Sequence, residues 1–135
     1  MANKLYPKGA TKMMSAAINF TSDTIKVALV SNAYTYSASH EFLTDLGATR
    51  IGTDQAIANK TVTDGVFDGD DAVFPTVASG STVACWVIYK DTGVVGTSPL
   101  LMHIDTGTGL PMATNNGDIT TQWSSSASKI LSLVG

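Results

Sequence analysis

The sequence has little charge, little proline and almost no cysteine. Lys, Arg, Asp and Glu make up 14% of its 135 residues, against about a quarter in an ordinary soluble domain. The seven lysines and the single arginine, Arg50, are scattered, and the net charge is −3. That excludes the basic face needed to neutralise phosphates, so nucleic acid is not an expected partner. One cysteine, Cys85, excludes an internal disulfide. No apolar run approaches the roughly 18 residues of a membrane helix, so a membrane is not expected either. The opening Met1-Ala2-Asn3-Lys4-Leu5-Tyr6-Pro7-Lys8 lacks the apolar core of a secretory signal. The expectation is a protein made and folded in a cytoplasm.

The polarity that is present comes from hydroxyls: 18 Thr and 13 Ser, with 12 Gly. Thr favours strands, while Ser and Gly disfavour helix interiors. With 44% hydrophobic residues, the chain is not disordered, and its length suits one domain over 1–135.

Periodicity points the same way. Residues 1–20 read as an arm with a short helix over Gly9 to Ile18, placing Met13, Ala16 and Ala17 together with Thr11 as its cap. From Ile25 the period is two, with Val27 and Leu29 on the same face. Thr82 to Lys90 alternates Val83, Cys85, Val87 and Tyr89 against Ala84, Trp86 and Ile88. Both faces are apolar, which predicts a central strand covered on each side. Pro99 to Asp105 predicts a strand with Leu100, Met102 and Ile104 opposed to Leu101 and His103. Ile119, Thr121 and Trp123 share a face beyond the Asn115-Asn116-Gly117-Asp118 turn. After a serine turn at 124–128, Lys129 to Leu133 closes the chain. Weaker strands are expected at Thr49–Ile51, Ile57–Val62 and Ala72–Val77. The expected fold is all-β, an antiparallel β-sandwich of jelly-roll or Greek-key type.

Chemistry-bearing sets are sparse. Asp64, Asp68, Asp70 and Asp71, interleaved with Gly65 and Gly69, form the best metal candidate, because calcium takes several oxygens from a tight loop. An EF-hand glutamate is missing: the twelfth position falls on Pro75 or Ser79. The competing reading is a solvated turn. His40, His103 and Cys85 do not have zinc-ligand spacing. No Gly-x-Ser-x-Gly elbow accompanies the serines, and Gly107-Thr108-Gly109 reads as a turn. Cys85 reads as an inert core thiol, His103 as a half-buried hydrogen-bonded residue, and His40 as orienting the loop from Tyr34 to Leu46. No catalytic set and no cofactor are expected. Tyr34, Tyr36 and Phe42 read equally well as anchors for a partner or as a plug for the end of the sandwich.

Several segments taken together carry a resemblance. They include Lys4-Leu5-Tyr6-Pro7-Lys8-Gly9, Asp23-Thr24-Ile25-Lys26-Val27-Ala28-Leu29-Val30, Tyr34-Thr35-Tyr36-Ser37 and His40-Glu41-Phe42-Leu43. Val87-Ile88-Tyr89-Lys90-Asp91-Thr92-Gly93, Ser98-Pro99-Leu100, Gly109-Leu110-Pro111 and Gly117-Asp118-Ile119-Thr120 follow in order. Across the whole chain the set resembles a family of small structural proteins of tailed bacteriophages. The resemblance implies a capsid decoration (cement) protein on the outside of the virion head, assembled in the bacterial host cytoplasm. It would bind the phage major capsid protein and itself, as a trimer ahead of a dimer. Residues 2–10 are then a strap over a neighbour, and Leu5, Tyr6, Pro7, Tyr34, Tyr36 and Phe42 are the expected interface. The rival readings are a tail or head-fibre component, and a carbohydrate-binding sandwich with sugars stacked on Trp86, Trp123 or Tyr36.

Overall fold

A computed structural model describes residues 4–107, 109–123 and 130–132. In chain order its elements are β1 (Lys4–Leu5), α1 (Pro7–Met14), β2 (Ile25–Ser31), β3 (Arg50–Ala56), β4 (Thr61–Thr63) and β5 (Val66–Asp68). They continue with β6 (Ala72–Phe74), β7 (Thr82–Lys90), β8 (Leu100–Ile104), β9 (Met112–Ala113), β10 (Ile119–Thr121) and β11 (Leu131–Ser132). Single 3₁₀ turns occupy Leu43–Leu46 and Val95–Thr97. The fold is an antiparallel β-sandwich with one short N-terminal helix. The expected serine turn at 124–128, and Leu133 of the closing strand, lie outside the described residues.

The helix starts earlier than the periodicity predicts. Pro7 takes a first-turn position, where its absent N–H is no loss and its fixed φ is already helical. Thr11 is therefore not the cap; its Oγ1 donates to the Pro7 carbonyl at 3.1 Å. Ala16 adopts φ 65, so Ala16 and Ala17 fall beyond the helix end at Met14. Gly9 seats the helix on β8: a Cβ there would stand 2.1 Å from the Leu100 carbonyl oxygen.

The main sheet runs β1-β8-β7-β2-β3, with every described pair antiparallel. β2 already flanks β7 as far as Val83. β9, which pairs Thr82 and Val83, therefore lies on the β8 side, resuming that line after an excursion through residues 105–111. β7 is central, as its doubly apolar pattern requires, and each face has its own core. On one side Ile25, Val27, Leu29, Trp86, Ile88 and Leu101 pack with the second layer. On the other, Ala28, Val30, Cys85, Val87, Tyr89 and Leu100 pack with Tyr6, Leu43 and Leu46. Each fully buried side chain of this kind contributes about 1.5–3 kcal/mol.

Strict alternation fails at two bulges along β7 and β8. A register shift between Val30 and Ser31 re-phases β7, so Val83 joins Trp86 and Ile88 and leaves the side of Cys85. A second shift, opposite Ile88 and Tyr89, puts Leu101 in the core of Met102 and Ile104 while Leu100 faces the other core. A bulge's extra residue inverts the facing of everything beyond it.

The second layer consists of β11-β5-β4 and the pair β10-β6. Phe67, Phe74, Ile119 and Leu131 carry it onto the main sheet. Thr121 is fully buried beside Ile119, and half-buried Trp123 packs against the same core. The acidic stretch is a hairpin: Asp64 (φ 53) and Gly65 (φ 79) form the two-residue turn joining β4 to β5. Both central residues have positive φ, the geometry that Asp-Gly favours between strands.

Candidate functional site

Of the six residues expected at an interface, Tyr6, Tyr34 and Tyr36 come together, and Tyr36 reaches the Leu5 carbonyl. Tyr6 is fully buried, and its hydroxyl lies 2.8 Å from that of Tyr34. The Tyr34 hydroxyl is in turn 2.7 Å from His40 Nδ1. Tyr36 donates to the Leu5 carbonyl at 2.9 Å, and its ring centroid lies 5.1 Å from that of Tyr6. Lys12 bonds Glu41 at 2.6 Å and lies over the Phe42 ring. Pro7 is exposed. These contacts dock residues 4–14 on the chain's own sheet, and a strap over a neighbour would have to leave this seat. Burial pushes the Tyr34 hydroxyl up to about 12 and raises that of Tyr6 further, so both remain protonated donors.

His103 is buried rather than half-buried. Its Nδ1 has no hydrogen-bond partner among the described residues, and its ring packs 5.3 Å from Tyr36. Burial lowers its pKa; nearby Asp105 opposes the shift and Lys4 reinforces it. Cys85 is buried and its thiol is pushed up to about 12, chiefly by burial. Neither histidine hydrogen-bonds a serine or cysteine side chain among the described residues.

The four candidate metal ligands take separate tasks. Asp64 makes the hairpin turn, and Asp68 sits in β5 opposite Thr61. Asp70 accepts from Asn59 at 2.6 Å, and Asp71 accepts from the Trp123 backbone N–H at 3.0 Å. Among the described residues, no three potential ligands are arranged to hold a metal ion. Trp86, a candidate sugar platform, is buried; Trp123 meets it edge-on at 5.6 Å and 88°. Lys4 lies over the Tyr36 ring at 4.8 Å.

A groove of about 600 Å³, unanticipated in the sequence, opens between the loop after β2 and the β7–β8 connection. Leu43, Gly47 and Ala48 form one wall, Gly93, Val95 and Ser98 the other, and Arg50, Asp54 and Tyr89 lie along it. Backbone bonds fasten the walls together: Leu43 N–H to the Ser98 carbonyl at 2.9 Å and Leu100 N–H to the Glu41 carbonyl at 2.8 Å. Asp45 caps the first 3₁₀ turn, accepting from Glu41 N–H at 2.7 Å and Phe42 N–H at 3.0 Å. Those two bonds hold its carboxyl below the usual range.

Within the groove the charges are paired. Asp54 Oδ2 accepts from Tyr89 at 2.5 Å and from Arg50 at 2.6 Å, and its side chain is only 7% exposed. Its other oxygen, Oδ1, is buried and has no partner among the described residues. Lys26 meets Asp91 at 2.9 Å, which holds the Asp91 carboxyl low together with the Gly93 N–H. Val94 and Val95 at this connection are 58% and 42% exposed. Position 54 was hidden because its partners Arg50 and Tyr89 come from two different strands. The signal that could have exposed it is a single arginine and an aspartate sharing one weak edge strand.

The chain matches no protein-family signature, and no curated protein matches it significantly.

Proposed function

We propose that the chain is a structural, non-enzymatic component of a tailed-bacteriophage virion, a decoration protein that docks on the outside of the head shell and stabilises it. The observation that carries this reading is the groove. Its charges are already neutralised in pairs, its walls include Gly47 and Gly93, which put no side chain in a partner's way, and exposed Val94 and Val95 stand beside it. Such a surface receives an extended segment of another protein chiefly through apolar contact. It avoids stripping water from unpaired charges, the costly step in association. A modest contact suffices when many copies dock on one lattice, and binding the mature shell alone stabilises that state by mass action.

Val95→Asp tests the reading. It puts an unpaired charge where an apolar side chain would be covered, and the site is exposed, so the fold is unaffected. On purified expanded heads, the variant's occupancy is expected to fall at least tenfold at matched concentration, with an unchanged melting temperature. Equal occupancy of variant and parent removes the groove from the account; no binding to heads by either favours the tail or head-fibre reading.

A further inference from the structure

We infer that β4 is a self-pairing edge, through which two copies of this chain join antiparallel about a two-fold axis at Val62. β4 ends the sheet β11-β5-β4, and Thr61, Val62 and Thr63 are all exposed, Val62 by 51%. Free strand edges are normally blunted by a charge, a proline or a bulge. Three other edges are so blunted: β3 carries Arg50, Asp54 and the Gly52 irregularity, β1 carries Lys4 and runs into Pro7, and β6 runs into Pro75. Between Lys60 and Asp64, β4 has none of these.

Its backbone is oriented for pairing. The two-residue turn at Asp64-Gly65 makes Thr63 and Val66, which flank it, a hydrogen-bonded pair. Antiparallel pairs alternate, so Val62 and Phe67 form a non-bonded pair and point their peptide groups outward. Phe67 agrees, since its carbonyl accepts from Ile130 N–H on the β11 side at 3.2 Å. Val62 therefore presents one N–H and one C=O to the free edge. Two antiparallel copies centred there exchange both bonds across the axis.

The side chains complement one another in that register. Val62 meets Val62 of the second copy and Thr61 meets Thr63, while Lys60 and Asp64, which flank the strand, come to the same end of the pairing. Parallel pairing in register would instead set Lys60 beside Lys60 and Asp64 beside Asp64. Opposite charges brought to one end of a strand pair attract and like charges repel, so the pattern favours the two-fold arrangement. Among the described residues neither charge is spent in a salt bridge: Lys60 donates to the Asp23 carbonyl at 2.7 Å. The contact is isologous, so it places a dimer where the resemblance favoured a trimer. Three residues a side make it weak in isolation.

Sedimentation of the purified chain from about 10 μM to on the order of 1 mM tests this without any capsid, so it succeeds or fails independently of the docking reading. The expected result is a shift from 14.0 kDa towards twice that mass. Val62→Pro removes the outward N–H that β5 does not use and is expected to abolish the shift while keeping the parent's circular dichroism. Val62→Lys gives a second, proline-free readout with the same expected loss. Lys60→Glu sets like charges across the axis, and its weakening is expected to shrink at 1 M salt. A chain that stays monomeric at about 1 mM, one that forms a trimer, or a dimer unaffected by both Val62 variants overturns the proposal.

Discussion

At the scale of single residues, burial decides chemistry. Cys85 is 3% exposed with its thiol raised to about 12, and the thiolate is the reactive form. Alkylation is therefore expected to be negligible in the folded protein over hours at pH 8 and complete within minutes in denaturant, as intact mass would record. Comparable native and denatured rates would mean the β7 core opens readily. Tyr6→Phe deletes one hydroxyl from the Tyr6–Tyr34–His40 chain and leaves the ring in place. A loss of about 1 kcal/mol in urea unfolding is expected. His103 gives a pH signature. Its folded pKa is lowered from the ordinary 6.5 by burial among Tyr34, Tyr36, Lys4 and Asp105, so the unfolded chain takes up the proton first. The stability conferred by the neutral ring is complete above about pH 6.5 and is lost as pH falls from there through the lower folded pKa. His103→Gln is expected to flatten the melting-temperature curve there.

At the scale of elements, backbone approach and turn chemistry matter more than period. Gly9→Ala would force α1 off β8, since the added Cβ would stand 2.1 Å from the Leu100 oxygen. Overpacking of this kind costs about 1–3 kcal/mol, measurable as a lower denaturation midpoint with unchanged slope; an unaltered midpoint would mean that α1 is not seated there. Strand β7 was legible because its apolar residues extend over both faces, and β2 because Ile25, Val27 and Leu29 alternate; the burial of Ala28 and Val30 on its other face was not. β5 was not legible: its own Asp68 and the nearby Asp64, Asp70 and Asp71 read as a ligand loop or a solvated turn, whereas Asp64-Gly65 is the turn signal of a hairpin. Leu101 and Val83 were assigned to the wrong faces because nothing in the alternation marks the bulges. The groove was hidden for a related reason. Asp54 and Tyr89 meet across 35 residues of chain, and only strand order brings them together.

At the scale of the whole molecule, scarce charge is used locally. Asp23, Asp45 and Asp91 are all held below the ordinary carboxylate range by backbone N–H groups or lysines. Groups shifted in this direction stabilise the fold above their unfolded pKa and release that stability as pH falls through the folded one. A second decline in melting temperature is expected below about pH 4, separate from that of His103 and present in His103→Gln. A single unbroken decline would merge the two causes. The hydroxyl-rich composition builds the strands and leaves a surface of threonine and valine at β4, with Val73 of β6 48% exposed. Surfaces of that kind meet other proteins at little desolvation cost. The central claim is that this sandwich is a head decoration protein, and an electron cryo-microscopy reconstruction of the virion carrying it tests that most directly. The account predicts density fitting this fold on the outer face of the head shell, with the groove between the 43–48 loop and the 91–98 connection turned to the capsid. Density for it on the tail alone, or none on the particle, would contradict the claim.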